Sequence, residues 1–250
     1  MIRAIDHVVI LVTDLEQAAA DYRALGFNVV NGGEHTGGAS ANVLVSFADG
    51  CYLELIAFRR SAPDHIWWRH VAAGEGLIDF ALLPTTIAED LEQARGRGLP
   101  LEGPFPGGRQ RPDGVQLEWQ TGRATTPDLP FFCADVTPRS LRVPHGEAHR
   151  HPNGATGIAA LSIAVQDLAA SSAHYQALLG MQRATSAALV APIAFALSDT
   201  QILLSQDAAA NQRIALRGEG PCAIEIRVAT GAATGTLDLT TTHGVRMSLR

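Results

Sequence analysis

His7 and Glu54 lie within short segments that are mainly apolar. Both segments, 5–12 and 51–58, have the composition of β-strands, and side chains alternate between the two faces of a strand. Each polar side chain is therefore placed on an apolar face. Burying a histidine or a carboxylate there costs free energy unless the group is paired or binds a metal ion. The two residues either form a hydrogen-bonded pair or provide metal ligands.

The glycine-rich loop 32–38 carries His35, and Asn42 follows it. Glycines allow the backbone to approach a ligand closely. His35 can act there as a general acid or base near neutral pH, and Asn42 can orient a carbonyl group. In the alternative interpretation, His35 is solvated and Asn42 caps a strand. We predict catalytic roles for His35 and Glu54 and a substrate contact for Asn42.

The segment 107–114 contains Arg109 and Arg111 and leads to Trp119. Arginine pairs with carboxylates in a bidentate manner, so this segment can hold an anionic group of a substrate. The alternative is a solvated turn, with Trp119 in the core. We predict that Arg109 and Trp119 contact a substrate.

The composition excludes several classes of mechanism. All 19 basic residues among the 250 are arginine, which removes mechanisms that need a Schiff-base lysine or a Walker-type phosphate lysine. The net charge is −6 and the arginines form no run, so nucleic acid is not an expected partner. No apolar run reaches the roughly 18–20 residues of a membrane span.

Cysteine usage and the N-terminus bear on location. The three cysteines form no CxxC pair, and the first residues lack the apolar core of a signal peptide. We therefore expect a cytoplasmic protein with reduced cysteines. Its expected partner is a small molecule, and its expected state is a monomer or a homodimer.

These residues are positioned by a β-α-β-β-β unit over 5–58. Asp14 is the predicted N-cap of its helix, and Gly26 ends the helix. A shift of 153 positions places the first strand and helix on 158–178, so that Asp14 falls on Asp167. An internal repeat of this kind indicates a fold built from copies of one unit.

Weaker copies of the unit follow each of these two. A stretch rich in Pro, His, Arg and Gly separates the two pairs of copies. The sequence therefore predicts a site-bearing domain over 1–135, a linker over 136–156 and a second half over 157–250.

The two halves differ at the polar positions. His7 corresponds to Ala160, and Glu54 corresponds to Leu203. Because the second half keeps the apolar positions and lacks both polar residues, we predict one site in the first half and a structural role for the second.

Three parts of the sequence resemble the vicinal oxygen chelate superfamily. They are the opening strand Ile5-Asp6-His7-Val8, the segment Tyr52-Leu53-Glu54-Leu55, and Gly32-Gly33-Glu34-His35 followed by Ala41-Asn42. Within that superfamily the chain is most similar to the glyoxalase-like domain proteins, with Ser40 where threonine is usual. The resemblance implies an α+β fold in which tandem βαβββ units pair into partly open mixed β-barrels with helices outside.

The resemblance also implies a divalent metal (iron, manganese, nickel or zinc) held by the first and fourth strands of a unit. In the first unit these positions are His7 and Glu54. Aligning the second unit on the first places Asp79 at the position of His7, either as a further ligand or as a strand-start residue that faces solvent. The His-Pro pair at 151–152 resembles a family element and implies that His151 folds over the site to contact substrate.

Two functions follow as hypotheses. The resemblance implies a small-molecule enzyme, either a metal-assisted isomerase or lyase or a dioxygenase, acting on a substrate with a carbonyl or vicinal oxygens. The alternative is a metal-free protein of the bleomycin-resistance type, which binds a drug or toxin in an apolar cup through a few hydrogen bonds. Metal content separates the two.

Overall fold

The computed structural model describes residues 2–181 and 193–250. The first elements are β1 (Ile2–Leu11), α1 (Leu15–Ala24), β2 (Val30–His35), β3 (Ser40–Ser46), β4 (Tyr52–Phe58), a 3-10 helix (Trp68–Ala73), β5 (Gly76–Pro84), α2 (Ile87–Gly96), β6 (Leu101–Gln110), β7 (Gln116–Ala124) and β8 (Phe131–Asp135). The predicted helix cap is confirmed: Asp14 Oδ1 accepts hydrogen bonds from the backbone N–H groups of Glu16 and Gln17, at 2.9 and 3.1 Å.

These eight strands form a closed barrel in the order β1-β4-β3-β2-β6-β7-β8-β5. Two neighbouring pairs are parallel, β1 with β4 and β5 with β8. The antiparallel pairing of β1 with β5 runs along nearly their whole length. By contrast, β2 meets β6 through two residue pairs, Glu34 with Gln110 and His35 with Arg109.

Glycine allows this short contact between β2 and β6. The sequence predicts a loop over 32–38, but in the structure β2 continues to His35. Gly33 has a φ of +118°, and a Cβ atom there would lie 1.9 Å from the Gln110 carbonyl oxygen. Since no side chain intervenes, the β2 backbone reaches β6. This contact closes a barrel that the sequence predicts to be partly open, and it makes His35 a strand residue.

The segment 136–156 contains α3 (Arg139–Arg142) and a second 3-10 helix (Gly146–His149). The remaining elements are β9 (Ala155–Ala164), α4 (Leu168–Leu179), β10 (Ile193–Leu197), β11 (Thr200–Ser205), α5 (Ala208–Arg217), β12 (Gly220–Val228), β13 (Gly235–Thr236) and β14 (Arg246–Leu249). Their strands form a sheet in the order β10-β11-β9-β12-β14-β13. The parallel pairs here are β9 with β11 and β12 with β14.

The main apolar core joins the two sheets. It contains Tyr22 of α1 and Tyr175 of α4, both fully buried. A smaller cluster, which includes Val9, Ile56 and Phe131, lies on the opposite face of β1, inside the barrel. The predicted α+β class, with a strongly curved sheet and outer helices, is confirmed. None of the helices in the described ranges is long and apolar enough to cross a membrane.

Candidate active site

A cavity of about 360 Å³ opens on the inner face of the barrel, with walls from β1–β4 and β6–β8. It brings together six of the residues predicted from the sequence. These are His7, His35, Asn42, Glu54, Arg109 and Trp119.

Glu54 is the one carboxylate among the described residues that line this cavity. Its Oε1 accepts a hydrogen bond from Asn42 Nδ2 at 2.6 Å. The imidazole nitrogens His35 Nε2 and His7 Nε2 lie 3.3 Å from Oε1 and 3.4 Å from Oε2, respectively. Burial raises the pKa of this carboxyl group, but the two imidazoles and the Asn42 amide lower it to about 2. Glu54 is therefore ionised at neutral pH.

The second ring nitrogen of His7 is held by Asp6. The parallel register of β1 and β4 pairs Val9 with Glu54. His7 is two residues before Val9, so its side chain is on the same, inner face and lies beside Glu54. His7 Nδ1 is 2.6 Å from Asp6 Oδ2. A carboxylate only accepts hydrogen bonds, so the Nδ1 proton belongs to this contact. The Nε2 atom then faces Glu54 with an electron pair, or with a proton if the ring is charged. An electron pair and a carboxylate repel each other unless a cation or a hydrogen-bond donor lies between them.

Asp6 is fully buried behind His7 and is neutralised by arginines from the segment 136–156. Arg142 donates to both Asp6 oxygens, at 2.7 and 3.0 Å, and also to the Tyr52 hydroxyl at 2.7 Å. Arg139 donates to the same carboxylate. Burial raises the pKa of Asp6, but Arg142 and His7 hold it well below its ordinary value of 3.8. A permanently ionised Asp6 therefore orients the His7 ring.

His35 has a different partner on its Nδ1 atom. Ser40 Oγ lies 3.0 Å from His35 Nδ1, and a hydroxyl can either donate or accept. When Ser40 donates, His35 carries its proton on Nε2 and donates toward Glu54. When Ser40 accepts, His35 Nε2 carries an electron pair 3.3 Å from Glu54 Oε1, where a bridging donor or cation would bind. His35 can thus exchange a proton at Nε2 without losing its support.

Arg109 fixes the orientation of Asn42. Its guanidinium is buried and donates to Asn42 Oδ1 at 3.1 Å and to the Arg142 carbonyl at 2.8 Å. Because arginine only donates, the Asn42 oxygen faces Arg109 and the amide N–H₂ faces Glu54. Gly32 makes room for this arrangement, since a Cβ atom there would lie 2.0 Å from Asn42 Oδ1. The two adjacent glycines, Gly32 and Gly33, thus serve the site as well as the barrel.

Aromatic rings form much of the remaining wall. Trp119 of β7 meets His35 edge-on at 6.0 Å between ring centroids. Phe131 of β8 contacts His7 edge-on at 5.4 Å, and Trp67 packs against Phe131. These rings limit the water around the polar groups and leave an apolar surface for a substrate.

Asp79 lies outside the cavity wall. In the antiparallel pairing of β1 with β5, His7 lies opposite Ala81 and Val9 lies opposite Asp79. The second pair is the first with the two strands exchanged. Asp79 therefore holds in β5 the place that His7 holds in β1, which is the position that the alignment of the first two units assigns to it. Its Oδ2 atom accepts hydrogen bonds from Trp67 Nε1 at 2.8 Å and from Arg123 at 3.1 Å. The carboxylate is thereby committed to the residues that hold the wall, and the structure does not bring it to Glu54.

His151 also lies away from the cavity. Its Nδ1 accepts a hydrogen bond from the Asn28 backbone N–H at 2.9 Å, and its Nε2 donates to the Ser46 carbonyl at 2.9 Å. Its ring packs between Phe27 and Phe47. With both nitrogens used by backbone groups, His151 fastens the end of the segment 136–156 to the barrel and does not line the cavity.

Two groups of side chains near the cavity have the ligand types of a metal site. In the described ranges, Asp6, His7 and Cys133 form a group whose ligand atoms all lie within 4.8 Å of one another. That group does not fit, because Asp6 is engaged by two arginines and burial raises the pKa of the Cys133 thiol. His7 Nε2 and Glu54 do fit: ligands about 2.1 Å from a tetrahedral ion lie roughly 3.4 Å apart, which is their separation.

Sequence reasoning missed Asp6, Tyr52, Arg139 and Arg142 as supports of the site. Asp6 and Tyr52 stand next to or near the predicted residues within the same motifs, so their positions carried a local signal. Arg142 is 136 residues from Asp6 in the chain, and its segment resembles a linker. Nothing local indicates that contact.

The family follows from residues 5–179, which match the model of the glyoxalase-like domain. The chain belongs to this family, and its fold is that of the vicinal oxygen chelate superfamily. A search of curated proteins finds no significant match.

Solved structures share the fold at low sequence identity. A hypothetical protein from Staphylococcus aureus has a TM-score of 0.76 at 12% identity, with 98% of each chain covered. A mutant of 4-hydroxymandelate synthase from Streptomyces coelicolor has a TM-score of 0.56 at 14% identity, over 91% of this chain and 72% of the other. A xylose isomerase-like TIM barrel/4-hydroxyphenylpyruvate dioxygenase fusion protein has a TM-score of 0.57 at 16% identity, over 92% of this chain and 37% of that protein.

Proposed function

We propose that the barrel cavity is the active site of a small-molecule enzyme that acts on a substrate with a carbonyl group or vicinal oxygens. The observation that carries the proposal is the fixed orientation of His7, whose Nε2 atom faces the ionised Glu54 at 3.4 Å while Asp6 holds its Nδ1 atom. A buried imidazole and carboxylate that share an open cavity are the groups that general acid–base and metal-assisted reactions require.

In this proposal His7 Nε2 and Glu54 hold a divalent ion. A histidine that donates its other ring N–H to a carboxylate has the support typical of metal ligands. The ion, when bound, supplies a Lewis acid that polarises a substrate oxygen. Iron, manganese, nickel and zinc all accept such nitrogen and oxygen ligands.

The proton in such a reaction is assigned to His35. Its Nε2 atom opens onto the cavity, and Ser40 supports either tautomer through the 3.0 Å contact with Nδ1. Asn42 and Arg109 keep a hydrogen-bond donor and a positive charge beside the carboxylate. The proposed chemistry is the transfer of a proton next to a carbonyl, as in an isomerase or lyase, or oxygen-dependent cleavage when the ion is iron.

A second candidate is a metal-free binding protein. It is favoured by one feature of the site: Asn42 donates to Glu54, and His35 can donate to it, without any ion. In that case the same cavity would bind a drug-like or toxic small molecule between its aromatic walls.

Elemental analysis of untagged protein, purified without chelator, tests the proposal. We expect near-stoichiometric metal in the unaltered protein and in His145→Ala, which replaces an exposed histidine outside the cavity. His7→Ala and Glu54→Gln should each lose it. Circular dichroism would establish that the variants are folded. Absence of metal after incubation with each of the four ions would overturn the metal-assisted function and favour the binding protein. Retention of metal in both site variants would also overturn it, because the ion would then be held elsewhere.

A further inference from the structure

A second cavity, of about 290 Å³, lies between the start of β5 and the elements α5, β12 and β14. It lies outside the proposed active site. Three arginines line it, namely Arg213 and Arg217 of α5 and Arg246 of β14, together with one carboxylate, Glu75.

Arg213 is buried without adequate partners. Its side chain is 7% exposed, and it makes one hydrogen bond, from Nη2 to the Ile78 carbonyl at 3.3 Å. Its Nε and Nη1 atoms have no hydrogen-bond partner in the described part of the chain. The segment 182–192 contains no aspartate or glutamate that could pair with it. A buried guanidinium of this kind is costly unless an anion accompanies it.

The other buried arginines in the part of the chain that the structure describes make hydrogen bonds through more of their guanidinium nitrogens. Arg142 uses all three guanidinium nitrogens in hydrogen bonds, mostly to Asp6 and Asp135. Arg109 uses two of its three nitrogens. Arg213 uses one, so it has the largest unmet capacity for hydrogen bonding among the buried arginines of the described ranges.

The neighbouring charges do not compensate for Arg213. Arg217 donates to backbone carbonyls, including that of Gly74 at 2.7 Å, and Arg246 donates to the Gln212 side chain at 2.9 Å. Glu75 is already bound to Thr13 and His243. Burial and then Arg217 lower the pKa of Arg213 to about 10, although Cys222 and Asp79 act in the opposite direction. The Asp79 carboxylate is already bonded to Trp67 and Arg123. The cavity is therefore positively charged.

We propose that this cavity binds a small oxyanion, the phosphate or carboxylate group of a metabolite, on Arg213 with Arg246 at its edge. Guanidinium groups recognise both anions through paired hydrogen bonds. Gly220 leaves room for the Arg213 side chain, since a Cβ atom there would lie 2.4 Å from Nη2. A bound anion would supply acceptors to Arg213, whose unpaired Nε and Nη1 atoms are enclosed and would turn toward the cavity to reach it.

Thermal unfolding and calorimetric titration at constant ionic strength test this site, with inorganic phosphate and acetate as probes and chloride as the reference. We expect one of the two probes, or both, to raise the Tm in a saturable manner beyond the chloride reference. Arg213→Gln should weaken that binding by roughly tenfold or more, because hydrogen bonds to charged groups are worth about 1.5–3 kcal/mol. Whichever probe binds more tightly identifies the group as phosphate or carboxylate.

Two further variants keep the test decisive. Arg246→Gln changes an exposed side chain at the edge of the cavity, so it should also weaken binding even where Arg213→Gln fails to fold. Arg59→Gln removes an exposed arginine elsewhere and should leave binding unchanged. The proposal is wrong if neither probe exceeds chloride, or if the effect persists in Arg246→Gln and in folded Arg213→Gln.

Discussion

The barrel and the second sheet share the same parallel strand pairing, but they carry different residues at the corresponding positions. In the barrel, β1 and β4 pair His7 with Tyr52 and Val9 with Glu54. In the second sheet, β9 and β11 pair Ala160 with Gln201 and Ser162 with Leu203. The residues that correspond in sequence to His7 and Glu54, Ala160 and Leu203, therefore hold corresponding places in the pairing. This pairing forms without a histidine or a carboxylate, so the polar residues of the barrel are not needed to align its strands.

The barrel instead surrounds its polar residues with partners. Asp6 supports His7, Asn42 supports Glu54, and Arg142 neutralises Asp6. At the position corresponding to Asp6, the second sheet has Ala159. The supporting residues therefore accompany His7 and Glu54, as expected where each buried charge needs its own compensation.

The largest effect is expected where a buried charge of the barrel loses its partner. Arg142→Met leaves Asp6 with Arg139 as its remaining arginine, so we expect the free energy of unfolding to fall by about 3–5 kcal/mol. In the second sheet, Arg250→Gln removes an exposed ion pair with Glu225 and should cost less than about 1 kcal/mol. Urea unfolding of both variants measures the difference; equal losses would contradict the distinction drawn between the two regions.

An intermediate effect is expected from the glycine that admits Asn42. Gly32→Ala introduces a methyl group 2.0 Å from Asn42 Oδ1 and 2.5 Å from an Arg109 nitrogen, so it should destabilise the protein by about 1–3 kcal/mol. The matched control is Gly96→Ala in α2, where a Cβ atom meets nothing within 4 Å. That control should be neutral or stabilising by up to about 1 kcal/mol. Chemical denaturation would decide; a harmless Gly32→Ala would mean that Asn42 does not need its observed position.

The smallest effect is expected where the two regions are alike. Asp14 caps α1 and Asp167 caps α4, each accepting two backbone N–H hydrogen bonds. Asp14→Ala and Asp167→Ala should each lower the free energy of unfolding by about 1 kcal/mol. A clearly larger loss for Asp14→Ala would show that this cap also supports the half with the candidate site, and that the two helix starts are not equivalent.

Much of the fold was predictable because its signals are local. The apolar strands, Asp14 and Asp167 as caps, and Gly26 at the end of the first helix follow from periodicity and backbone preference. The extension of β2 was missed, because the consecutive glycines resemble a loop until their close approach to β6 is known. The helix α5 was also missed, although Asp207 caps it through the Ala210 N–H group at 2.7 Å.

The candidate site was predictable in its members but not in its arrangement. His7 and Glu54 were identified as polar residues on apolar strand faces. His35 and Asn42 were identified from the glycine-rich segment, and Arg109 from a segment that can hold an anionic group. Asp79 was identified from the alignment of the first two units and His151 from its resemblance to a family element. Their polar atoms are taken up by Trp67 and Arg123 in the first case and by backbone groups in the second.

Residue types and spacing in the chain thus determined the class of fold, the helix starts and the members of the polar set. The tertiary structure determined which of those groups face one another. The pairing of Arg142 with Asp6, the exclusion of Asp79 from the cavity and the isolation of Arg213 all depend on contacts between residues far apart in the chain. Such contacts arise because each buried polar group must find a partner wherever the closed barrel and the second sheet bring one within reach.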